Sequence, residues 1–377
     1  MAQVIHRGKG RHLVRVFLGR DPATGRRKYH NKTIRGTKKQ AETYGRKIQH
    51  QVDTGTFREP ASQTVTEFLD WWFENTARRR VHAETLQEYR AIARRHLEPT
   101  LGEIPLGQIT PAHVQQLVTA MEAKKLSPRT IRNAHGLLRN ALSRAVREGT
   151  IPANPAAAKL VDLPKARRRE LTVLSRTEAA AFVKAAKGER WGPLFVLLLG
   201  SGMRPGEALG LTWPDFDGSR VRIRRALVRA RDGSGTWRLR EPKTPNSRRT
   251  VPLPKFAITA LHEHRRRQAE EKLRAGPDYE DRGLIFSDER GAPANWWRLT
   301  KYEFRYILEE AGLSSKVIRA YDLRHTCASL LLSAGVNPKV VSERLGHSTV
   351  TLTLDTYSSV LPGLQEDATE KLGAMLT

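Results

Sequence analysis

Gly200-Ser201-Gly202-Met203-Arg204-Pro205-Gly206-Glu207-Ala208-Leu209 decides how the second half of this 377-residue chain is read. It follows the apolar run Leu194 to Leu199, turns on glycines and enters a second helix with proline near its first position. Arg204 is thereby expected at a helix N-terminus, where free backbone amides and the helix dipole favour an anion. The bland alternative is an ordinary ion pair with Glu207 on the same helix.

Three more stretches downstream offer groups that can touch a phosphate. Glu241 to Arg249 (EPKTPNSRR) lies between two strand patterns and puts Lys243 near a hairpin tip, where a lysine is otherwise simply solvated. Tyr321-Asp322-Leu323-Arg324-His325-Thr326 enters an apolar helix, with Tyr321 and Arg324 three apart on one face and His325 pointing elsewhere. Leu345-Gly346-His347-Ser348 precedes Leu354-Asp355-Thr356-Tyr357, which sets His347 and Tyr357 ten positions apart.

Two arginines, a lysine, a histidine and a tyrosine suit transesterification at a phosphodiester. Arginine forks match the non-bridging oxygens and neutralise charge as it builds there. A lysine can protonate a leaving alkoxide. A tyrosine is a poor nucleophile until its proton is accepted or its phenolate stabilised, and nearby cations are expected to favour the phenolate. This chemistry calls for no metal and no cofactor, and no acidic constellation of the kind a metal-dependent nuclease needs accompanies the basic motifs.

The whole-chain charge points the same way. Lys plus Arg number 66 against 39 Asp plus Glu, a formal net charge of +27, which favours a polyanionic partner, nucleic acid first. An anionic membrane surface would also match the charge. The apolar run Leu194 to Leu199 is, however, far short of the roughly 20 residues that span a bilayer. The N-terminus, MAQVIHRGKGRHLVRVF, has no apolar signal core, so a cytoplasmic address is expected. Cys327, the sole cysteine, sits in an apolar stretch and is expected to be a small core residue.

Working back toward the N-terminus, the interval Pro164 to Glu170 (PKARRRE) reads as a linker. Before it, apolar residues at helical spacing predict helices after Thr64 (Val65, Phe68, Leu69, Trp72) and around 85–96, 110–123 and 127–148, the last opening Ser127-Pro128. Arg129, Arg132, Arg139 and Arg144 on that last helix are either a solvated face or contacts to a DNA backbone. The first segment alternates at Leu13 to Phe17, turns at Asp21 to Gly25 and resumes at Arg26, a hairpin signature, and a helix follows over 38–51. Its cations Arg7, Lys9, Arg11, Arg15, Arg26, Arg27 and Lys28 are clustered as phosphate neutralisation requires.

After residue 171 the expected order is two helices, a short antiparallel β-region (Val221 and Ile223, 237–240, 250–253) and several helices. The expected fold class is therefore multidomain α+β. Residues 1–60 form a small β-sheet and helix unit, 61–160 an all-α domain, and 165–377 a mainly α domain with a small antiparallel sheet and a helical tail. In the tail Leu364, Ala368 and Leu372 recur every four residues, a narrow stripe that either connects protomers or packs on its own domain.

The four stretches resemble the signature of the tyrosine recombinases, the phage integrase family. Its pattern has an arginine in a Gly-Met/Leu-Arg turn, a β-hairpin lysine, a His-x-x-Arg box, a Gly-His pair and a tyrosine some ten residues later. The resemblance, covering about 171–357, implies those roles for Arg204, Lys243, Arg324, His347 and Tyr357, with Tyr357 the nucleophile. It implies a 3′-phosphotyrosyl intermediate formed without ATP and a homotetramer on double-stranded DNA, with an excision factor or DNA-bending protein as further partners. Tyr321 stands where the family usually has histidine, and a neutral phenol donates or shares a hydrogen bond where an imidazole would accept a proton. The resemblance leaves His325 to packing. The helical segment is similar to the family's core-site binding domain and the N-terminal unit to the arm-site domains of larger integrases. A type IB topoisomerase and a DNA-binding architectural relative without turnover are the alternatives.

Overall fold

The structure, a computed structural model, describes residues 2–20, 24–55, 57, 62–165, 171–229, 236–241, 248–357 and 364–376. The chain divides into two compact units, Met1–Arg167 and Arg168–Thr377.

In the first unit β1 (Gln3–His6), β2 (Arg11–Arg20) and β3 (Arg27–Arg35) form an antiparallel sheet in that order. Side chains alternate along β2, so His12, Val14 and Val16 are buried while Arg11, Leu13, Arg15 and Phe17 take the other face. On the buried face α1 (Lys38–Asp53), started by a Thr37–Gln40 capping box, contributes Ala41 and Ile48 to a core with Val14 and Val16.

A helical set follows: α2 (Val65–Asn75), α3 (Ala83–Ile92), α4 (Glu98–Leu101), α5 (Pro111–Ala123) and α6 (Pro128–Arg147). Thr64, Thr110 and Ser127 accept the backbone N–H three residues on, so these starts lie where the sequence places them. Phe68, Leu69, Trp72 and Phe73 share their core with Leu117, Ile131, Leu138 and Leu142. The helix expected over 85–96 instead begins at Ala83 and runs on to Leu101 through a π turn at Ala93–Leu97. Pro99 cannot donate to a carbonyl of the preceding turn, and the wider π turn accommodates that break in the ladder.

The second unit contains α7 (Arg176–Ala185), α8 (Gly192–Ser201), α9 (Pro205–Leu209), β4 (Arg220–Ile223), β5 (Ala226–Arg229), β6 (Trp237–Arg240), β7 (Arg249–Pro252) and α10 (Lys255–Ala275). It continues with α11 (Trp296–Lys301), α12 (Glu303–Glu310), α13 (Asp322–Ser333), α14 (Pro338–Leu345), α15 (Val350–Tyr357) and α16 (Leu364–Leu376). Every residue of α8 is buried, as its apolar run requires, and it packs on α10 and α13. The small antiparallel sheet is two separate ladders, β4 with β7 and β5 with β6. Strand β5 (ALVR) escapes the sequence pattern because three consecutive apolar residues give no alternation, although only Leu227 is buried. In the first ladder Val221, Ile223 and Val251 face the core while Arg220 and Arg222 face out. Cys327 is buried on α13, and burial raises its thiol pKa. Among the described residues no helix is long and apolar enough to cross a membrane.

Gly202 ends α8 at φ 70°, in the left-handed region, and a Cβ there would lie 2.7 Å from Leu345 Cδ2 and 3.3 Å from Cys327 Sγ. Gly202→Ala therefore combines backbone strain with overpacking. It should destabilise the second unit by roughly 2–4 kcal/mol. Urea unfolding is the measurement, and an unmoved midpoint would show that neither constraint operates.

Candidate active site

Arg204 ends the turn from α8 into α9. Glu207, three residues on, bends back so that its Oε2 accepts the Arg204 backbone N–H at 2.9 Å and its Oε1 accepts Arg204 Nη1 at 2.9 Å. The sequence expectation of a free helix N-terminus for an external anion is thus corrected: α9 has five residues and the protein's own carboxylate caps it. Arg204 keeps 39% of its side chain exposed, so the guanidinium is both anchored and reachable. Its Nη2 donates a long 3.4 Å bond to the Gly346 carbonyl.

Arg324 lies in the first turn of α13 and is buried, its Nη1 donating to the Gly202 carbonyl at 2.6 Å. Burial, then the neighbouring Arg204, brings its pKa down to about 10, so it is still charged at neutral pH. His347 follows Gly346, which closes α14 at φ 68°. Its Nδ1 lies 2.8 Å from Thr353 Oγ1 on α15. Burial first, then Arg324 and Arg204, push its pKa down to about 4, so the imidazole is neutral at pH 7. Arg204, Arg324 and His347 therefore come within electrostatic reach of one another from three segments.

Tyr357, the last residue of α15, has no exposed surface and packs among Ala328, Leu332, Val341 and Leu345. Burial raises its pKa, and the opposing pull of Arg324 does not offset it. The expectation that neighbouring cations would favour its phenolate is reversed, because desolvation of a fully covered phenol outweighs one guanidinium.

His325 Nδ1 lies 2.9 Å from the Tyr357 hydroxyl. The sequence assigned this histidine to packing and pointed it elsewhere. Tyr321 and His325 are four apart and so share a helix face, and their rings meet edge-on at 5.5 Å. Tyr321 is itself substantially exposed at the start of α13. Burial lowers the pKa of His325, which leaves its ring neutral and able to accept a hydrogen bond at pH 7. The i, i+4 spacing of Tyr321 and His325 signals only their own ring contact; the approach of His325 to Tyr357 is long-range and carries no local signal.

Lys243 lies outside the described residues, in the interval between β6 and β7. Among the described residues no group of three or more His, Cys, Asp or Glu side chains is placed as metal ligands would be. In the first unit Arg7, Lys9, Arg11, Arg26, Arg27 and Lys28 are exposed, and Arg15 lies over the Tyr29 ring at 4.1 Å on the face opposite α1. On α6, Arg129 and Arg139 are exposed, whereas Arg132 Nε is committed to the Pro164 carbonyl at 2.8 Å and Arg144 to Glu148 at 2.7 Å.

The chain is similar to known proteins in both sequence and fold. Residues 173–362 match the model of the phage integrase family, and residues 64–122 match the phage integrase N-terminal SAM-like domain. The tyrosine recombinase XerC-like protein of Caldanaerobacter subterraneus subsp. tengcongensis is 31% identical, covering 98% of this chain and 97% of that protein. Among solved structures the Tn1549 transposon integrase with a circular intermediate DNA is similar at TM-score 0.69 and 22% identity, over 82% of this chain and 100% of that one. A lambda integrase tetramer bound to a Holliday junction is similar at TM-score 0.54 and 19% identity, over 94% of each chain.

The depressed pKa of His347 has a consequence for acid stability. Above its ordinary value of 6.5 the ring is neutral whether the chain is folded or not. Between 6.5 and about 4 the unfolded chain binds a proton that the folded chain refuses, so stability falls as pH falls through that window. His347→Asn should flatten this part of the loss when urea unfolding is compared at pH 7 and pH 4.5. An unchanged slope would mean that the ring is not held neutral by its surroundings.

Proposed function

The chain belongs to the phage integrase family of tyrosine recombinases, and from that premise we propose that it is a site-specific DNA recombinase, the integrase of a phage or other mobile element. The observation that carries this is the convergence of Arg204, Arg324 and His347 beside a tyrosine, Tyr357, delivered by a separate helix.

In the proposed reaction the Tyr357 oxygen attacks a scissile phosphate. A phosphorus–oxygen bond forms to the tyrosine and the bond to the 5′-oxygen breaks, giving a 3′-phosphotyrosyl link and a free 5′-hydroxyl. Arg204 and Arg324 neutralise the non-bridging oxygens, and neutral His347 adds a hydrogen bond. Lys243 gives its proton to the departing 5′-oxygen. Among the described residues His325 is the group hydrogen-bonded to the tyrosine hydroxyl, and it is the candidate to accept that proton. Tyr321 acts as a hydrogen-bonding group at the edge. A 5′-hydroxyl from a second duplex reverses the step, so no ATP is consumed. Attack requires Tyr357 to leave its cover.

Three working parts are proposed: 1–60 for arm-type DNA sites, 61–160 for core sites and 165–377 for catalysis. The separate cores around Val14, around Leu69 and around α8 support this division. Arg7, Lys9, Arg11, Arg15, Arg26, Arg27 and Lys28 would neutralise arm-site phosphates, and Arg129 and Arg139 core-site phosphates. Arg132 has one donor already committed to Pro164, so its part is smaller. A homotetramer on DNA, with α16 as connector, is favoured by exposed Leu372, Met375 and Leu376. The side chains of Leu364 and Ala368, in the same stripe, lie outside the described residues. An excision factor or a DNA-bending protein is the expected further partner, in a bacterial cytoplasm.

Incubation with a nicked suicide duplex carrying its recombination site should trap a covalent protein–DNA complex, and Tyr357→Phe should abolish it while still binding. A wild type that binds the site but forms no adduct would instead fit the architectural alternative. For Lys243→Ala, cleavage should fall by about 100-fold or more, within the range for loss of a general acid. It should recover on a duplex whose 5′-bridging oxygen is sulfur, a leaving group that needs no proton. Absence of that recovery would remove Lys243 from the role of acid.

A further inference from the structure

Arg249 closes the stretch Glu241 to Arg249, in which the sequence singles out Lys243 and not this residue. It opens β7, at the end of Ser247-Arg248-Arg249, yet its side chain is only 8% exposed. Its Nη2 donates to Glu207 Oε2 at 2.9 Å, its Nη1 to Glu207 Oε1 at 3.3 Å and its Nε to the Arg344 carbonyl at 2.7 Å. Glu207 is 5% exposed and accepts Arg204 from its other side through both the backbone N–H and Nη1. Four donors match the roughly four lone-pair sites of a carboxylate, so Glu207 has no capacity left for rearrangement. Burial alone would raise its pKa, but Arg249 and then Arg204 hold it below the usual carboxylate value.

The other end of the clamp is the turn that carries His347. Arg344 is in the last turn of α14, and its own Nη2 donates to the Gly200 carbonyl at 2.7 Å and the Pro252 carbonyl at 3.0 Å. Gly346 follows, and a Cβ there would lie 2.8 Å from Arg249 Nη1, so the guanidinium is packed against the turn itself. Buried ion pairs contribute little net stability compared with apolar side chains of equal volume. Fixing geometry is the better account of a buried guanidinium shared between a carboxylate and a carbonyl.

We propose that Arg249 is a positioning residue of the transesterification site: through Glu207 it sets the guanidinium of Arg204, and through the Arg344 carbonyl it sets the turn bearing His347. The clamp rests on the proposed roles of Arg204 and His347 at the scissile phosphate.

The test is the single-turnover cleavage rate of the full chain on a nicked suicide duplex at saturating DNA. It compares wild type, Arg249→Lys, Arg249→Met and Arg204→Ala, each with its thermal midpoint. Arg249→Met should cleave about 100-fold more slowly, the scale of loss when a reacting group is displaced by about 1 Å. Arg249→Lys should keep a thermal midpoint near wild type but remain slow, because one ammonium cannot span Glu207 and the Arg344 carbonyl together. The deficit should shrink on a duplex with a methylphosphonate at the scissile position, where one anionic oxygen that needs Arg204 is gone. A folding defect would not respond to that substitution. Wild-type cleavage by Arg249→Lys, or a deficit undiminished on methylphosphonate, would overturn the clamp. Full cleavage by Arg204→Ala would instead overturn the assignment of Arg204 on which it rests.

Discussion

Two guanidinium groups, from Arg204 and Arg249, are bonded to one buried carboxylate, Glu207, and a third, Arg324, lies within its electrostatic reach, an imbalance around which this part of the second unit is arranged. Burial first, and then repulsion from neighbouring arginines, brings the pKa of Arg324 down to about 10 and that of His347 down to about 4. Glu207 is not all that keeps the cations in place. Arg324 is held by the Gly202 carbonyl and Arg249 in part by the Arg344 carbonyl, each at the end of a helix, where carbonyls lack intrahelical partners. A site built partly on backbone oxygens retains net positive charge, which further carboxylates would have cancelled. In the proposed reaction a dianionic transition state at phosphorus would then meet cations that need no reorganisation.

The same constraint explains the shape of the fold near the site. Two left-handed glycines, Gly202 and Gly346, end α8 and α14, and each would bring a Cβ within 2.8 Å of a neighbour from another segment. The helix ends can thus approach closely enough for their carbonyls to receive buried arginines. The fully buried α8, packed on α10 and α13, is the rigid element from which this geometry is measured.

Much of this was legible in the sequence, for identifiable reasons. Capping residues act locally, so Thr64, Thr110 and Ser127 announce their helices, and the β2–β3 hairpin follows from alternation and a turn. Arg204, Arg324, His347 and Tyr357 stood out because each lies in a local pattern that presents it. Arg249 did not, because a basic run of Arg248 and Arg249 gives no indication which member turns inward; pairing of β7 with β4 and the approach of α14 decide that. The contact of His325 with Tyr357 joins residues 32 apart and depends on how α15 meets α13. Composition near Tyr357 shows cations but not burial, which is why the direction of its pKa shift was misread.

Cover over Tyr357 makes exposure and activation one event. Its pKa is raised first by desolvation, while Arg324 already pulls the other way. Moving the phenol out from among Ala328, Leu332, Val341 and Leu345 removes the raising influence and leaves the cations, so the proton becomes easier to lose only as the oxygen leaves its apolar surroundings. A permanently exposed phenolate would be open to reaction with any phosphodiester that a chain of formal charge +27 attracts. In the proposed reaction a buried phenol bonded to a neutral histidine would be inert until freed, while the four hydrogen bonds on Glu207 hold Arg204 and Arg249 where they are.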